Sequence, residues 1–409
     1  MRITKCRASG SSDLRPFLDL GVTPLADALV KPQDVDGPEA KFPLELAFCP
    51  ESALVQITED VPEDVLFVEN YLYFSSFSDH LLRHSREHAL AVIEERELGP
   101  DNLVVELASN DGYLLKNFVE KGIPVLGIDP APDQAKAANE IGVPTLAEFF
   151  GEDLAQRLVA EGKQADVIIA NNVFAHIPDI NDFTAGMRTL LKDDGVIHIE
   201  NPYVRDLIEH CEFDTIYHEH FYYHSCTSID RQMRRHGMYL NHVEYFPDLH
   251  GGTLRWHCGK HENPSDTVKE YLAAEKAAGM DTFEYYAAFA DRVAGVKRDL
   301  LALLSDLKSQ GKKIAAYGAA AKGATLVNYV GITTDLVDFV VDRNVHKQGL
   351  HMPGTHQPIK DVSALLDEMP DYVLLLAWNF KNEIMAQQAE YIERGGKFIV
   401  PVPTPKIVD

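Results

Sequence analysis

The sequence predicts an α/β protein with a central Rossmann-like domain, a related α/β domain after it and a small β-rich module before it. Three observations carry this. Residues 103–130 read as buried strand, tight turn, helix, second buried strand and then an acid. Residues 313–342 repeat that order of elements, so an internal duplication is expected. Residues 1 to about 60 are rich in turn formers and poor in helical periodicity. The expected boundaries are 1–65 for the module, 66–260 for the central domain and 261–409 for the last.

A chain of 409 residues, 45% hydrophobic and 25% charged, can bury more than one core and is not disordered. Its formal charge of -25 argues against nucleic acid or an anionic membrane as a general partner. No apolar run approaches the roughly 20 residues of a membrane span, and MRITKCRASG has no apolar signal core, so a cytoplasmic location is expected. Five scattered cysteines give no disulfide framework.

In the first module, FLDLGVTPLADALV and FPLELAFC read as short strands and turns, with too little core to stand without the rest of the chain. Cys6 with Ser9, and Cys49 with Ser52, have the spacing of zinc knuckles but a serine in each second position. Two thiolates do not make a structural zinc site, and no metal is expected. The stretch LFVENYLYFSSFSDH then leads to an amphipathic helix at about Ser78–Glu97. Its aromatics (Phe67, Tyr71, Tyr73, Phe74, Phe77) suit a core, or a cleft lined by one tyrosine.

Leu103–Leu107 is an apolar run broken only by Glu106, as in a strand buried on both faces. Ser109, Asn110, Asp111 and Gly112 favour a turn and helix start. A helix at about Tyr113–Lys121 leads to a strand at Val125–Ile128, which ends in Asp129. An acid roughly 20 residues past such a turn hydrogen-bonds a ribose diol in nucleotide-binding folds. A dinucleotide also requires G-x-G-x-x-G so that backbone amides reach a pyrophosphate. This turn instead holds one glycine with Glu106 and Asp111, which repel phosphate and attract a cation. S-adenosylmethionine (SAM) has a ribose diol, a sulfonium and no phosphate. The pattern continues with a helix at 131–141, strand Thr145–Phe149, helix 152–161, strand 166–170, helix 181–191 and strand Gly195–Glu200. Asn171 and Asn172 fall at the carboxyl end of their strand, where open sheets bind ligands, and His176 follows. The cofactor residues expected are Glu106, Ala108, Asn110, Asp111, Tyr113, Asp129, Pro130, Asn171 and Asn172.

FDTIYHEHFYYHS, residues 213–225, crowds aromatics, histidines and acids just past that edge. Tyr217, His218, Glu219 and His220 stand where acid–base chemistry would be placed. In a helical turn Tyr217 and His220 share a face, whereas in a strand Tyr217 pairs with Glu219. A helix at about Asp230–His236 and strands Leu240–Tyr245 and Thr253–His257 follow. The pair Gly251-Gly252 either admits a ligand close to backbone or turns a hairpin. Helices over about 265–310 lead to the second copy: strand Lys313–Tyr317, a small-residue turn Gly318–Gly323, helix Ala324–Tyr329 and strand Val337–Val341 ending in Asp342. Here Lys322 replaces the acids, which suits an anion at a helix start. Tyr372–Ala377 is a further strand with Trp378, Asn379 and Phe380 at its end, and Lys397 opens the last one.

Taken together, LDLGVTPLAD, YLYFSSFS, VVELASNDGYLL, NNVFAHIPDINDF, FDTIYHEHFYYHS, HGGTLR, YGAAAKGATLVN and LLLAWNF resemble the bacterial SAM-dependent sugar C-methyltransferases. The likeness is strongest to the dTDP-4-keto-deoxysugar 3-C-methyltransferases of antibiotic biosynthesis, and it spans nearly the whole chain. It implies a zinc-binding module, a class I methyltransferase-like central domain and a C-terminal domain of related fold, with the nucleotide-sugar at their junction. It implies that Tyr73, His176, Tyr217, Glu219 and His220 are the active-site residues. The family has cysteine at the positions of Ser9 and Ser52, so the expected departure is loss of the metal. Gly251, Gly252, Lys322, Gly323, Asp342 and Asn379 are the substrate-binding residues expected, in a monomer or weak oligomer. The chemistry implied is removal of an acidic C-3 hydrogen beside a 4-ketone, then attack of the enolate carbon on the SAM methyl. His220 is preferred as base because glutamate, if exposed, is weak at neutral pH. The alternatives are an O- or N-methyltransferase of another small acceptor, or a binding protein that retains the fold.

Overall fold

Apolar runs without alternation become interior strands of two mainly parallel sheets in the computed structural model, which describes residues 2–61, 75–77, 79–249 and 251–408. Tyr73 and most of its aromatic run lie outside the described residues. Before the sheets comes an antiparallel hairpin series: β1 (Arg15–Pro24), β2 (Lys41–Cys49) and β3 (Leu54–Ile57).

The central sheet contains β4 (Val104–Leu107), β5 (Val125–Ile128), β6 (Thr145–Leu146), β7 (Ala165–Asn171) and β8 (Leu191–Pro202). A two-residue strand, β9 (Tyr222–Tyr223), pairs with β3 and makes the N-terminal sheet four-stranded. Then β10 (Tyr239–Phe246) and β11 (Thr253–Gly259) return to the central sheet. Its order is β6-β5-β4-β7-β8-β11-β10. All neighbours through β8 are parallel, whereas β11 is antiparallel to both β8 and β10. This order and the single reversed strand define the class I methyltransferase arrangement. Strand order reverses between β4 and β7, and ligands of open α/β sheets bind at the carboxyl ends of strands at such a point.

The second copy is observed as well. Strands β12 (Ile314–Tyr317), β13 (Val340–Val341), β14 (Ile359–Lys360), β15 (Tyr372–Leu375), β16 (Lys397–Val400) and β17 (Lys406–Val408) form a sheet in the order β14-β13-β12-β15-β16-β17. Only the β16–β17 pair is antiparallel. Helices Asp266–Ala278, Phe283–Ala287 and Phe289–Ser309 link the two sheets. They also seat the N-terminal sheet, since Tyr286 stacks on Phe48 at 4.7 Å and meets Phe17 at 5.4 Å. One buried apolar core therefore runs through all three sheets.

Several elements differ from the periodicity. The helix expected at Tyr113–Lys121 is the short Lys116–Val119, because positive φ at Ala108, Asn110 and Gly112 keeps the chain turning first. The strand expected at Thr145–Phe149 stops at Leu146, at the sheet edge. The helix expected from Asp230 starts at Cys226, where Ser225 and Ser228 form a reciprocal capping box. The helix beginning at Ala321 absorbs the second half of the small-residue turn.

Candidate active site

The carboxyl ends of β4 and β5 hold a nest of buried acids. Glu106 is 1% exposed, and Asp111 and Asp129 are also buried. Burial first, then the charges of Asp129 and Asp111, pushes Glu106 well above the usual carboxylate range. Burial also raises Asp129, although backbone hydrogen bonds oppose it. Asp129 accepts from the amides of Asn110 (2.8 Å) and Ala131 (2.9 Å), which ties the end of β5 to the turn after β4. Asn110 Oδ1 accepts from Ser75 N at 3.0 Å, and Asp111 Oδ2 from Ser76 N at 3.2 Å. Oε2 of Glu106, Oδ1 of Asp111 and Oδ1 of Asn171 are buried acceptors without a hydrogen-bond partner among the described residues. Such groups ask for a donor or a cation, and SAM presents ribose hydroxyls, an ammonium and a sulfonium. The donor set fits.

The remaining residues expected around the cofactor are placed less directly. Tyr113 is buried in the core beside Leu114 and Phe118. Ala108 (φ +53°) and Asn172 (φ +54°) shape the strand ends, and Asn172 N donates to Glu200 O at 2.6 Å. Pro130 connects Asp129 to the helix Pro132–Glu140. Asn171 Nδ2 lies 3.4 Å from His88 Nδ1, so its amide faces the helix Asp79–Glu95.

The segment 213–225 resolves the choice between helix and strand. A single 3-10 turn, Phe213–Thr215, is followed by a reverse turn in which His220 N donates to Tyr217 O at 3.0 Å, and then by β9. Tyr217 and His220 therefore meet as i, i+3. Tyr217 Oη is 2.8 Å from His220 Nε2, and His220 Nδ1 is 3.0 Å from Thr215 O. A carbonyl only accepts, so Nδ1 carries the proton and Nε2 holds the lone pair that Tyr217 O–H approaches. The His176 ring sits edge-on to His220 at 4.6 Å, and desolvation lowers His176 to about 4, so it is neutral near pH 7.

Glu219 corrects the premise on which it was set aside. It is 8% exposed and not a solvated carboxylate, and its Oε2 is a buried acceptor without a hydrogen-bond partner among the described residues. Burial first, with the charge of Asp27 second, raises it to about 8. Asp27 belongs to the loop after β1, so the N-terminal module reaches this site. Sequence reasoning also passed over Tyr223, whose hydroxyl is buried and whose ring lies 6.2 Å from His220. The density of aromatics in HFYYHS does not say which one turns inward.

The C-terminal domain holds this segment from the other side. Thr325 Oγ1 donates to Ile216 O at 3.0 Å, and Trp378 Nε1 donates to Asp214 Oδ2 at 2.6 Å. Lys322 donates to Asn379 Oδ1 at 3.1 Å and lies 4.8 Å over the Trp378 ring. It is not an isolated cation as its sequence context suggests, because its charge acts on the buried carboxyls of Glu212 and Asp214. Burial raises Glu212 to about 8 and Asp214 to about 6, and Lys322 opposes both. Gly251 and Gly252 sit in the β10–β11 hairpin at φ +97° and +126°, where a Cβ would strike the carboxylates of Glu212 and Asp206. The close approach they permit is thus to protein acids. A Cβ at Gly323 would meet Leu376 and the Gly318 carbonyl, so this glycine serves helix-on-strand packing. Asp342 accepts from Ala319 N (2.7 Å) and Asn344 N (2.8 Å), the same two bonds that Asp129 makes in the first copy.

Compared with known proteins, the chain is 35% identical over 410 residues to the C-methyltransferase NovU of Streptomyces niveus, covering 99% of this chain and 97% of that one. The chain belongs to the C-methyltransferase family. As a SAM-dependent C-methyltransferase it is an enzyme, and the reading as a binding protein without turnover falls. Three family models match this methyltransferase: "Putative zinc binding domain" at 6–67, "Methyltransferase domain" at 77–243 and "C-methyltransferase C-terminal domain" at 248–403. Among solved structures, magnesium protoporphyrin IX methyltransferase (ChlM) from Synechocystis is 14% identical, with a TM-score of 0.34 over 44% of this chain and 79% of that one. A SAM-dependent methyltransferase from Clostridium acetobutylicum is 10% identical, with a TM-score of 0.35 over 44% of this chain and 92% of that one.

The zinc named by the first model does not fit the residues present. Cys6, Ser9, Cys49 and Ser52 do converge, yet two of the four side chains are hydroxyls, which are poor partners for zinc beside thiolate and imidazole. Among the described residues no group of three or more His, Cys, Asp or Glu is arranged to hold a metal, and no helix is long and apolar enough to cross a membrane.

Proposed function

We propose that this C-methyltransferase acts on a nucleotide-linked 4-keto-deoxysugar and that carbon 3 is the methylated atom. The single observation that carries the reading is the fixed tautomer of His220. Its Nδ1–H is committed to Thr215 O, so Nε2 is the basic nitrogen, 2.8 Å from Tyr217 Oη. A base of this kind removes the hydrogen beside the ketone, and the electron pair moves into the carbonyl as an enolate. Tyr217, neutral His176 and protonated Glu219 are the donors within this neighbourhood for the oxygen that gains charge. SAM would supply the electrophilic methyl, and the acid nest at Glu106, Asp111 and Asp129 would hold it.

The nucleotide-sugar is assigned to the junction of the three sheets, with Lys322, Asn379 and Asp342 on the C-terminal side. Support comes from Thr325 and Trp378, which bring that domain onto the segment carrying Tyr217 and His220. Incubation with methyl-labelled SAM and a panel of dTDP-4-keto-sugars tests the reading. Label on C-3 by NMR is the expected result, whereas label on oxygen would replace it with an O-methyltransferase.

A further inference from the structure

We infer that residues 6–9 and 49–52 form a metal-free knuckle, in which hydrogen bonds among two cysteine sulfurs and two hydroxyls occupy the place of a zinc tetrathiolate, and that two substitutions would restore the metal. Cys6 Sγ lies 3.2 Å from Ser52 Oγ, and Ser9 Oγ lies 3.6 Å from Cys49 Sγ. Each thiol of one C-x-x-S pair therefore faces the serine of the other. Ser9 N also donates to Cys6 Sγ at 3.4 Å, so the chain curls around the sulfur. Cys6, Cys49 and Ser52 are buried to 2% exposure or less. Four side chains meeting in this crossed fashion have the layout a tetrahedral ion requires, but a serine hydroxyl stays protonated at neutral pH and does not replace thiolate.

Other bonds do the organising that a metal would otherwise do. Gly10 N donates to Cys6 O and Cys6 N to Ser11 O, both at 2.8 Å, which closes the first loop. Asn181 Nδ2 donates to the carbonyls of Arg7 (2.9 Å) and Ala8 (3.2 Å), and Arg7 Nη1 to Pro178 O at 3.3 Å. The second loop is held from the helix Cys226–Arg235, where Arg231 Nη1 donates to Pro50 O at 2.7 Å. These contacts tie both loops to the central domain, and the first of them to the stretch just after His176. The knuckle thus keeps its position without an ion.

The test uses the full-length protein. After dialysis the wild type should hold well under one zinc per chain by elemental analysis, and its melting temperature should be unchanged by EDTA. The double variant Ser9→Cys/Ser52→Cys should purify with about one zinc per chain, and EDTA should lower its melting temperature. Stoichiometric zinc in the wild type that resists dialysis, or a wild-type melting temperature that falls in EDTA, would overturn the inference. So would a folded double variant that takes up no zinc. Should the double variant not fold, Cys49→Ser decides the matter in the wild-type background. A hydrogen-bonded knuckle loses only a few degrees, whereas loss of a zinc ligand unfolds the module and removes activity.

Discussion

At the scale of single residues, identity was legible where a position is set by local order, and burial was not. Asp129 and Asp342 were both found by counting along strand, turn and helix, and they make matching pairs of hydrogen bonds to their turns. Glu219 was misjudged because nothing in YHEH reveals that the chain buries it, or that the charge of Asp27, almost 200 residues earlier, acts on it. Two predictions belong here. Asp129→Ala should weaken SAM binding by at least about 1.5–3 kcal/mol, the range for hydrogen bonds to a charged group; equal calorimetric affinity for both proteins contradicts the assignment. Glu219, raised to about 8, is protonated at neutral pH and ionises as pH rises through that value. Its negative charge then opposes enolate formation, so kcat/KM should fall on the alkaline side near pH 8. Glu219→Gln keeps a donor and should lose that limb of the pH profile; an unaltered limb removes Glu219 from the site.

At the scale of elements, most of the parallel strands were plain because they are nearly unbroken apolar runs, and the loops that follow them lie at the carboxyl edge of the sheet. Tertiary pairing was not legible. Two residues of the aromatic segment, Tyr222 and Tyr223, cross to the N-terminal sheet as β9, and two-residue strands carry no periodicity to read. Two contacts fix the segment that precedes β9, which leads to a prediction about Trp378. Trp378→Phe removes the donor to Asp214 and should lower kcat several-fold while SAM affinity stays constant; a loss of SAM affinity instead would mean that the C-terminal domain supports the cofactor and not this segment. The helix Asp79–Glu95 is latched by a second device. Glu200, fully buried, takes hydrogen bonds from Arg255 (2.7 Å) and approaches His84 (2.9 Å). Arg255→Met leaves that carboxylate without its permanent cation and should cost about 3–5 kcal/mol in denaturant unfolding, the scale for breaking a buried pair. A cost under about 1 kcal/mol, as for surface pairs, would show that the latch bears no load.

At the scale of the whole molecule, three sheets share one apolar core, and the proposed chemistry lies where they meet. The duplication was legible because both copies end their second strand in an acid; the different environments of the two turns were legible only in part. The acids around Lys322, Glu212 and Asp214, come from a segment a hundred residues away, so the lysine looked like a simple anion site. A ligand that binds only the folded chain raises stability by about 2.7 kcal/mol at one hundred times its dissociation constant, and SAM should therefore raise the melting temperature of the whole chain in one transition. Separate transitions, only one of which moves, would contradict the shared core. The central claim is that His220 draws the proton from carbon 3 before the methyl is transferred. With a SAM analogue that lacks the methyl, in heavy water, the wild-type enzyme should wash deuterium into C-3 of the 4-keto-sugar, His220→Asn should abolish this exchange and Glu219→Gln should slow it less. Exchange that survives in His220→Asn but vanishes in Glu219→Gln would contradict the account and make Glu219 the base.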